Sequence, residues 1–81
     1  MDILKGDSTF RYGLLGRLQS DCEYYLGFGG RSPNRLWAGD EKKQIETMKA
    51  LHNSFSQHEK PNWLSWEQIL FYERQMVKNS Q

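Results

Sequence analysis

The chain has one cysteine, two prolines, no long apolar run and no tract of like charge, and each scarcity removes a class of protein. Cys22 alone closes no internal disulfide, so the fold has to stand on burial and hydrogen bonding, and a reducing, cytoplasmic setting is expected. The opening Met1-Asp2-Ile3-Leu4-Lys5 lacks the basic and apolar regions of a secretory signal. No stretch approaches the ~18 apolar residues that span a bilayer, so a soluble chain with no membrane partner is expected. Eleven basic against ten acidic residues leave a net charge of +1, spread along the sequence. That balance argues against a strong electrostatic nucleic-acid binder and equally against an acidic DNA mimic. Eighty-one residues make one domain with a small core, and leave no room for a second domain to close over an enzyme pocket.

What the chain does have is helical periodicity. Residues 1–6 read as a lead-in, and Asp7 or Ser8 can cap a first helix over about 8–26, because a short side-chain oxygen satisfies the free amides of the first turn. Phe10, Leu14, Leu18, Cys22, Tyr25 and Leu26 form its apolar stripe, with Leu15 on the margin. Gly13 and Gly16 weaken this helix by up to ~1 kcal/mol each and clear bulk from a face that another helix or a partner can approach. Gly27, Gly29 and Gly30 then end the helix, since glycine takes the left-handed backbone of a C-terminal cap without penalty. Pro33 starts a turn that carries Leu36 and Trp37 back toward the core.

Gly39-Asp40-Glu41 opens a second helix, about 41–56, with acidic groups at the positive end of its dipole. Ile45, Met48, Leu51, His52 and Phe55 form its stripe, and Lys42–Glu46 and Glu46–Lys49 read as surface pairs. Residues 56–62 make a polar connector ending at Pro61, after which Trp63 and Leu64 are expected to pack inward. Ser65 and Gln68 fit a capping box, with Leu64 stapled on Ile69, opening a third helix over about 66–78. Trp66, Ile69, Leu70, Tyr72, Met76 and Val77 supply its apolar face. No internal repeat and no β-alternating run competes, so the expectation is an all-α, compact three-helix domain over 1–81, with a Gly/aromatic-rich connection between helices 1 and 2.

Catalytic constellations are weak. Cys22 with His52 or His58 has the residue types of a thiol nucleophile and base, but Cys22 lies in an apolar stripe, where a free cysteine behaves as a small hydrophobe. One cysteine and two histidines six positions apart do not make a zinc site. Gly27-Phe28-Gly29-Gly30 lacks the Gly-Lys-Ser/Thr ending and the preceding strand of a phosphate-binding loop. Asp21 and Glu23, two positions apart on a helix, diverge by about 200° and do not converge as an acid–base pair. They read as exposed groups, paired with Arg17 or with the arginines of the connection. No cofactor and no metal is expected. The stronger candidate is the connection itself, where Tyr24, Phe28, Arg31, Arg35 and Trp37 combine large contact area with directional donors, as binding hot spots do. The alternative is internal: Trp37 in the core, and Arg31 and Arg35 paired with Asp21, Glu23 or Asp40. The three tryptophans equally read as core in so small a chain.

The blocks Asp21-Cys22-Glu23-Tyr24-Tyr25-Leu26-Gly27 and Leu36-Trp37-Ala38-Gly39-Asp40 carry a family resemblance. So do Arg17-Leu18, Gln44-Ile45, Met48-Lys49, Leu51, Lys60-Pro61, Trp63-Leu64 and Tyr72-Glu73. Together these residues resemble a large polyvalent protein-associated domain of phages and conjugative elements, over about residues 14 to 76. Where that family usually has Gly-Asn-Arg, this chain has Gly29-Gly30-Arg31. Gly30 keeps access to a positive backbone angle and loses any side-chain hydrogen bond. The resemblance implies context more than chemistry: the domain accompanies other activities in very long mobile-element proteins delivered into a host, and no catalytic residues come with it.

The expectation is therefore a free-standing small phage or mobile-element protein, in the cytoplasm of a bacterial host, that acts by protein–protein binding and is not an enzyme. The working reading is an anti-defence inhibitor, for example an anti-CRISPR protein, that binds a CRISPR-associated nuclease or its ribonucleoprotein. A second class is a nucleic-acid-binding accessory protein, in which the arginines meet phosphates and an aromatic stacks on a base. A third is an oligomerisation module using the face of Gly13 and Gly16.

Overall fold

The computed structural model describes residues 3–27 and 36–77. A short 3-10 turn, Ile3–Lys5, precedes three helices: α1 (Ser8–Gly27), α2 (Glu41–Asn53) and α3 (Trp66–Met76). Among the described residues there is no strand, and the all-α three-helix architecture is as the periodicity requires. No helix of the described residues is long and apolar enough to cross a membrane. One core gathers Leu15, Leu18, Cys22 and Tyr25 of α1, Ile45, Met48 and Leu51 of α2, and Ile69, Tyr72 and Met76 of α3, closed by Leu36, Phe55 and Leu64 from the connections.

Asp7 starts α1, its carboxylate accepting from Phe10 N at 2.8 Å while its carbonyl accepts from Arg11 N. The buried stripe is rotated from the one expected. Leu15 is fully buried and Phe10 is 43% exposed, so the margin residue is central and the first stripe residue lies outside the core. The reason is angular: at about 100° per residue, 15, 18, 22 and 25 stay on one line, and Phe10 falls roughly a quarter turn away. The Phe10 ring covers the backbone of Gly6 instead, close enough that a Cβ there would meet it.

Gln44 fastens α1 to the start of α2. Its side chain is completely buried; Nε2 donates to Leu18 O at 3.3 Å and Oε1 accepts from Ala38 N at 3.1 Å. Leu36 to Gly39 form a turn closed by Gly39 N donating to Leu36 O, with Gly39 at φ 72, a conformation glycine adopts without strain. Asp40 then caps α2 through Lys43 N at 2.8 Å, and the next residue, Glu41, accepts from the Tyr25 hydroxyl at 2.6 Å.

α2 stops at Asn53, three residues short of the expected 56, because other side chains take the carbonyls at its end. Lys60 Nζ donates to His52 O at 2.7 Å and to Phe55 O at 3.2 Å, and Arg11 Nη1 donates to Ser54 O at 3.1 Å. The Arg11 guanidinium also lies 4.8 Å from the Phe55 ring centroid, with Tyr12 stacked on Phe55 at 4.4 Å. Cations at a helix C-terminus are favourably placed against its dipole. Ser65 caps α3 through Gln68 N, while the Gln68 side chain reaches Tyr72 and not the cap. α3 ends at Met76, two residues before the expected 78, with Val77 as its cap. Lys49 pairs with Glu73 across the α2–α3 interface at 3.0 Å, where a surface pair with Glu46 was expected.

His52 is 4% exposed, with Nε2 at 3.2 Å from Leu64 O and Nδ1 buried without a hydrogen-bond partner. Burial, then Lys60, hold its pKa below the ordinary 6.5.

Two predictions follow from these polar ties. Gln44→Leu removes the acceptor for Ala38 N and should cost about 1–3 kcal/mol in urea unfolding, with an unchanged slope. For His52, the unfolded chain takes up the proton first, so its contribution is full above about pH 6.5 and is lost as pH falls through the lowered folded value. The urea midpoint should therefore drop between about pH 7 and pH 5, and drop less in His52→Gln.

Candidate functional site

Of the five residues expected to bind a partner, the structure describes Tyr24 and Trp37; Phe28, Arg31 and Arg35 lie outside the described residues. Gly29 and Gly30, expected to help end the first helix, lie outside them too, and α1 runs through Gly27. Asp21 brings Tyr24 and Trp37 to one side of the molecule. Its carboxylate accepts from Trp37 N at 3.0 Å, and Tyr24 stands one turn further along the same helix face. Leu36 is buried, whereas Trp37 and Tyr24 are each 42% exposed. The expectation that Leu36 and Trp37 both return to the core is thus corrected. With its amide held by Asp21 and Leu36 anchored inward, the Trp37 side chain is left on the rim.

The same correction applies to Trp63, whereas Trp66 packs against the core as expected. Trp63 is exposed and Trp66 is half-buried, so the aromatic residues that fill the core are tyrosines and a phenylalanine: Tyr25, Tyr72 and Phe55. Trp63, expected to pack inward with Leu64, lies over the small face of Gly16, whose Cβ position is 3.8 Å from the indole edge. Nothing lies within 4 Å of the corresponding position at Gly13. Glu23 is exposed as expected and Asp21 is half-buried, each has a partner the sequence did not point to, and the expected pairing with Arg31 or Arg35 lies outside the described residues. Asp21 holds the Trp37 turn, and Glu23 accepts from the Tyr72 hydroxyl at 2.9 Å, tying α1 to α3.

Two more residues, Phe10 and Arg17, belong with this face. Phe10, Arg17, Asp21 and Tyr24 succeed one another at steps of seven, four and three, which aligns them on one flank of α1 beside the buried stripe. Phe10 and Arg17 are exposed. From Phe10 to Tyr24 the flank rises fourteen steps, about 21 Å at 1.5 Å per residue. The signal was present in the heptad spacing of Phe10, Arg17 and Tyr24, but Phe10 also fits the core stripe at i, i+4 and was read there.

The chemistry open to these side chains is contact and hydrogen bonding. Cys22 is buried against Met48, Sγ to Sδ 3.5 Å, and its pKa is pushed up to about 12, chiefly by burial, with Gln44 opposing and Asp21 and Glu23 adding to the rise. His52 is engaged with Leu64 O, so no activated thiol is in place. Burial, then Glu23, likewise lift Tyr72 to about 12. Among the described residues no group of three histidine, cysteine or acidic side chains is placed to hold a metal ion.

The family model described as large polyvalent protein-associated domain 11 matches residues 8–76, from the first residue of α1 to the last of α3. No curated protein and no solved structure matches the chain.

A thiol raised this far should be inert until the fold opens. At about pH 8, iodoacetamide should alkylate the native protein at least ~100-fold more slowly than the urea-unfolded chain. Equal rates would show Cys22 to be accessible.

Proposed function

The chain belongs to the large polyvalent protein-associated domain 11 family, and from that premise we propose that it acts by protein–protein binding, as an anti-defence inhibitor of a host nuclease such as a CRISPR-associated one. The observation that carries the reading is Trp37: a large aromatic held at its backbone by Asp21 and at its neighbour Leu36 by the core, yet 42% exposed. A side chain presented on a fixed backbone loses little further freedom on binding, which is what distinguishes a hot-spot anchor from an incidental surface aromatic. Tyr24, Arg17 and Phe10 extend the same face, and aromatics and arginine are the residue types that dominate protein interfaces. The length of the flank suits the ~800 Å² per partner of a standard interface. A net charge of +1 supports a protein target over bare phosphate.

The test is co-expression with a panel of CRISPR nucleases, reading the recovery of transformation by a targeted plasmid. The wild-type protein should restore transformation against at least one nuclease and bind it in a purified pair. Trp37→Ala should weaken that binding by tenfold or more with the helical circular dichroism unchanged, and Tyr24→Ala by less. Recovery with no panel member, or full binding by a folded Trp37→Ala and Arg31→Ala/Arg35→Ala set, would overturn the reading. Binding to nucleic acid alone, weakening steeply with salt, would move it to the accessory class.

A further inference from the structure

The connector between α2 and α3 is fastened more heavily than a linker requires. The Tyr12 hydroxyl donates to Glu59 O, Gln19 Nε2 donates to Trp63 O at 3.1 Å, and Lys60 reaches back to two carbonyls at the end of α2. Pro61, within the connector, is buried. These ties shape an open groove of about 470 Å³. Its aromatic walls are Tyr12 and Trp63, with ring centroids 6.4 Å apart and planes inclined at 57°. Tyr12 is itself braced from behind by its stack on Phe55.

Glu59 is the one carboxylate among the residues that line the groove, with His58 and Lys60 beside it. Glu59 is exposed on the rim, and no ion pair is made to it among the described residues. Lys60, the cation that would answer it, has its ammonium turned onto the His52 and Phe55 carbonyls. Aromatic faces carry negative potential, so two rings and a carboxylate that makes no ion pair favour a cation over a phosphate. A planar guanidinium fits best, since it stacks on a ring while its edge forks to a carboxylate. The chain already shows the stacking half of this arrangement next door, where Arg11 lies over Phe55 and donates to Gly6 O and Ser54 O.

We propose that the groove between Tyr12 and Trp63 is a second binding site that receives an arginine side chain of a protein partner, with Glu59 as its counter-charge. It is separate from the Trp37 face. Tyr12, Gly16 and Gln19 meet the groove from one flank of the buried stripe of α1, while Arg17, Asp21 and Tyr24 stand on the other.

The test is a nitrogen-15 NMR titration of the full chain with N-acetyl-arginine methylamide, using N-acetyl-norleucine methylamide as the uncharged control. The arginine probe should give saturable shifts at the Trp63 indole N–H and at the amides of 58–63, and the norleucine probe none. Glu59→Gln should weaken the arginine response about two- to fivefold, and Trp63→Ala should abolish it with the remaining spectrum still dispersed. Trp37→Ala should leave it unchanged, which separates failure here from failure of the Trp37 face. No saturable shift, an equal response to norleucine, an unaltered affinity in Glu59→Gln, or loss of the response in Trp37→Ala would each overturn the proposal.

Discussion

The side-chain amide of Gln44 is buried at the point where α1, the Leu36–Gly39 turn and α2 meet, and each of its ends serves a different one of them. A buried amide without partners is costly, so this arrangement is stable only when the Ala38 amide and the Leu18 carbonyl are both in position. That constraint sets the depth of the turn against α1. It puts Leu36 in the core and brings the Trp37 amide to Asp21. The exposed aromatic that the functional reading rests on is therefore placed by a polar interaction some distance behind it.

Around this point the protein compensates for its small core with polar ties between elements. Tyr25 to Glu41 and Tyr72 to Glu23 fix α1 against its two neighbours, and Arg11 and Lys60 gather the loose carbonyls at the end of α2. In each case a long side chain spans the gap that apolar packing leaves at the ends of short helices. Many of the residues that carry the family resemblance work here: Asp21, Tyr25, Gly39, Asp40, Gln44, Lys60 and Tyr72 all appear as caps, turns or ties. The resemblance thus traces the frame, and it also takes in Arg17, Tyr24, Trp37 and Trp63 on the surface.

The helices were legible because their signals are local. Asp40 and Ser65 sit at caps, and apolar residues recur at helical steps. What was not legible depended on where a side chain goes once its helix is docked. Phe10 and Leu15 both fit a 3.6-residue period, and only the contact with α2 and α3 decides between them. Trp37 and Trp63 are apolar by composition, yet each follows or precedes a smaller leucine that takes the interior place. The ends of α2 and the Glu73 partner of Lys49 are set by residues distant in sequence, which periodicity does not see. The connector read as plain polar linker because its ties to Tyr12 and Gln19 are made across more than forty residues.

Those long spans bear on how the chain is made. Ties of α1 reach forward to Ser54, Glu59, Trp63 and Tyr72, at separations of 43 to 49 residues. A ribosome releases α1 first, and its apolar stripe has no lasting cover until α3 has left the exit tunnel. Non-local pairing of this kind delays closure of the core until all three helices have emerged. A truncated chain that stops before Tyr72 is then a sticky helical fragment and not a smaller version of the domain.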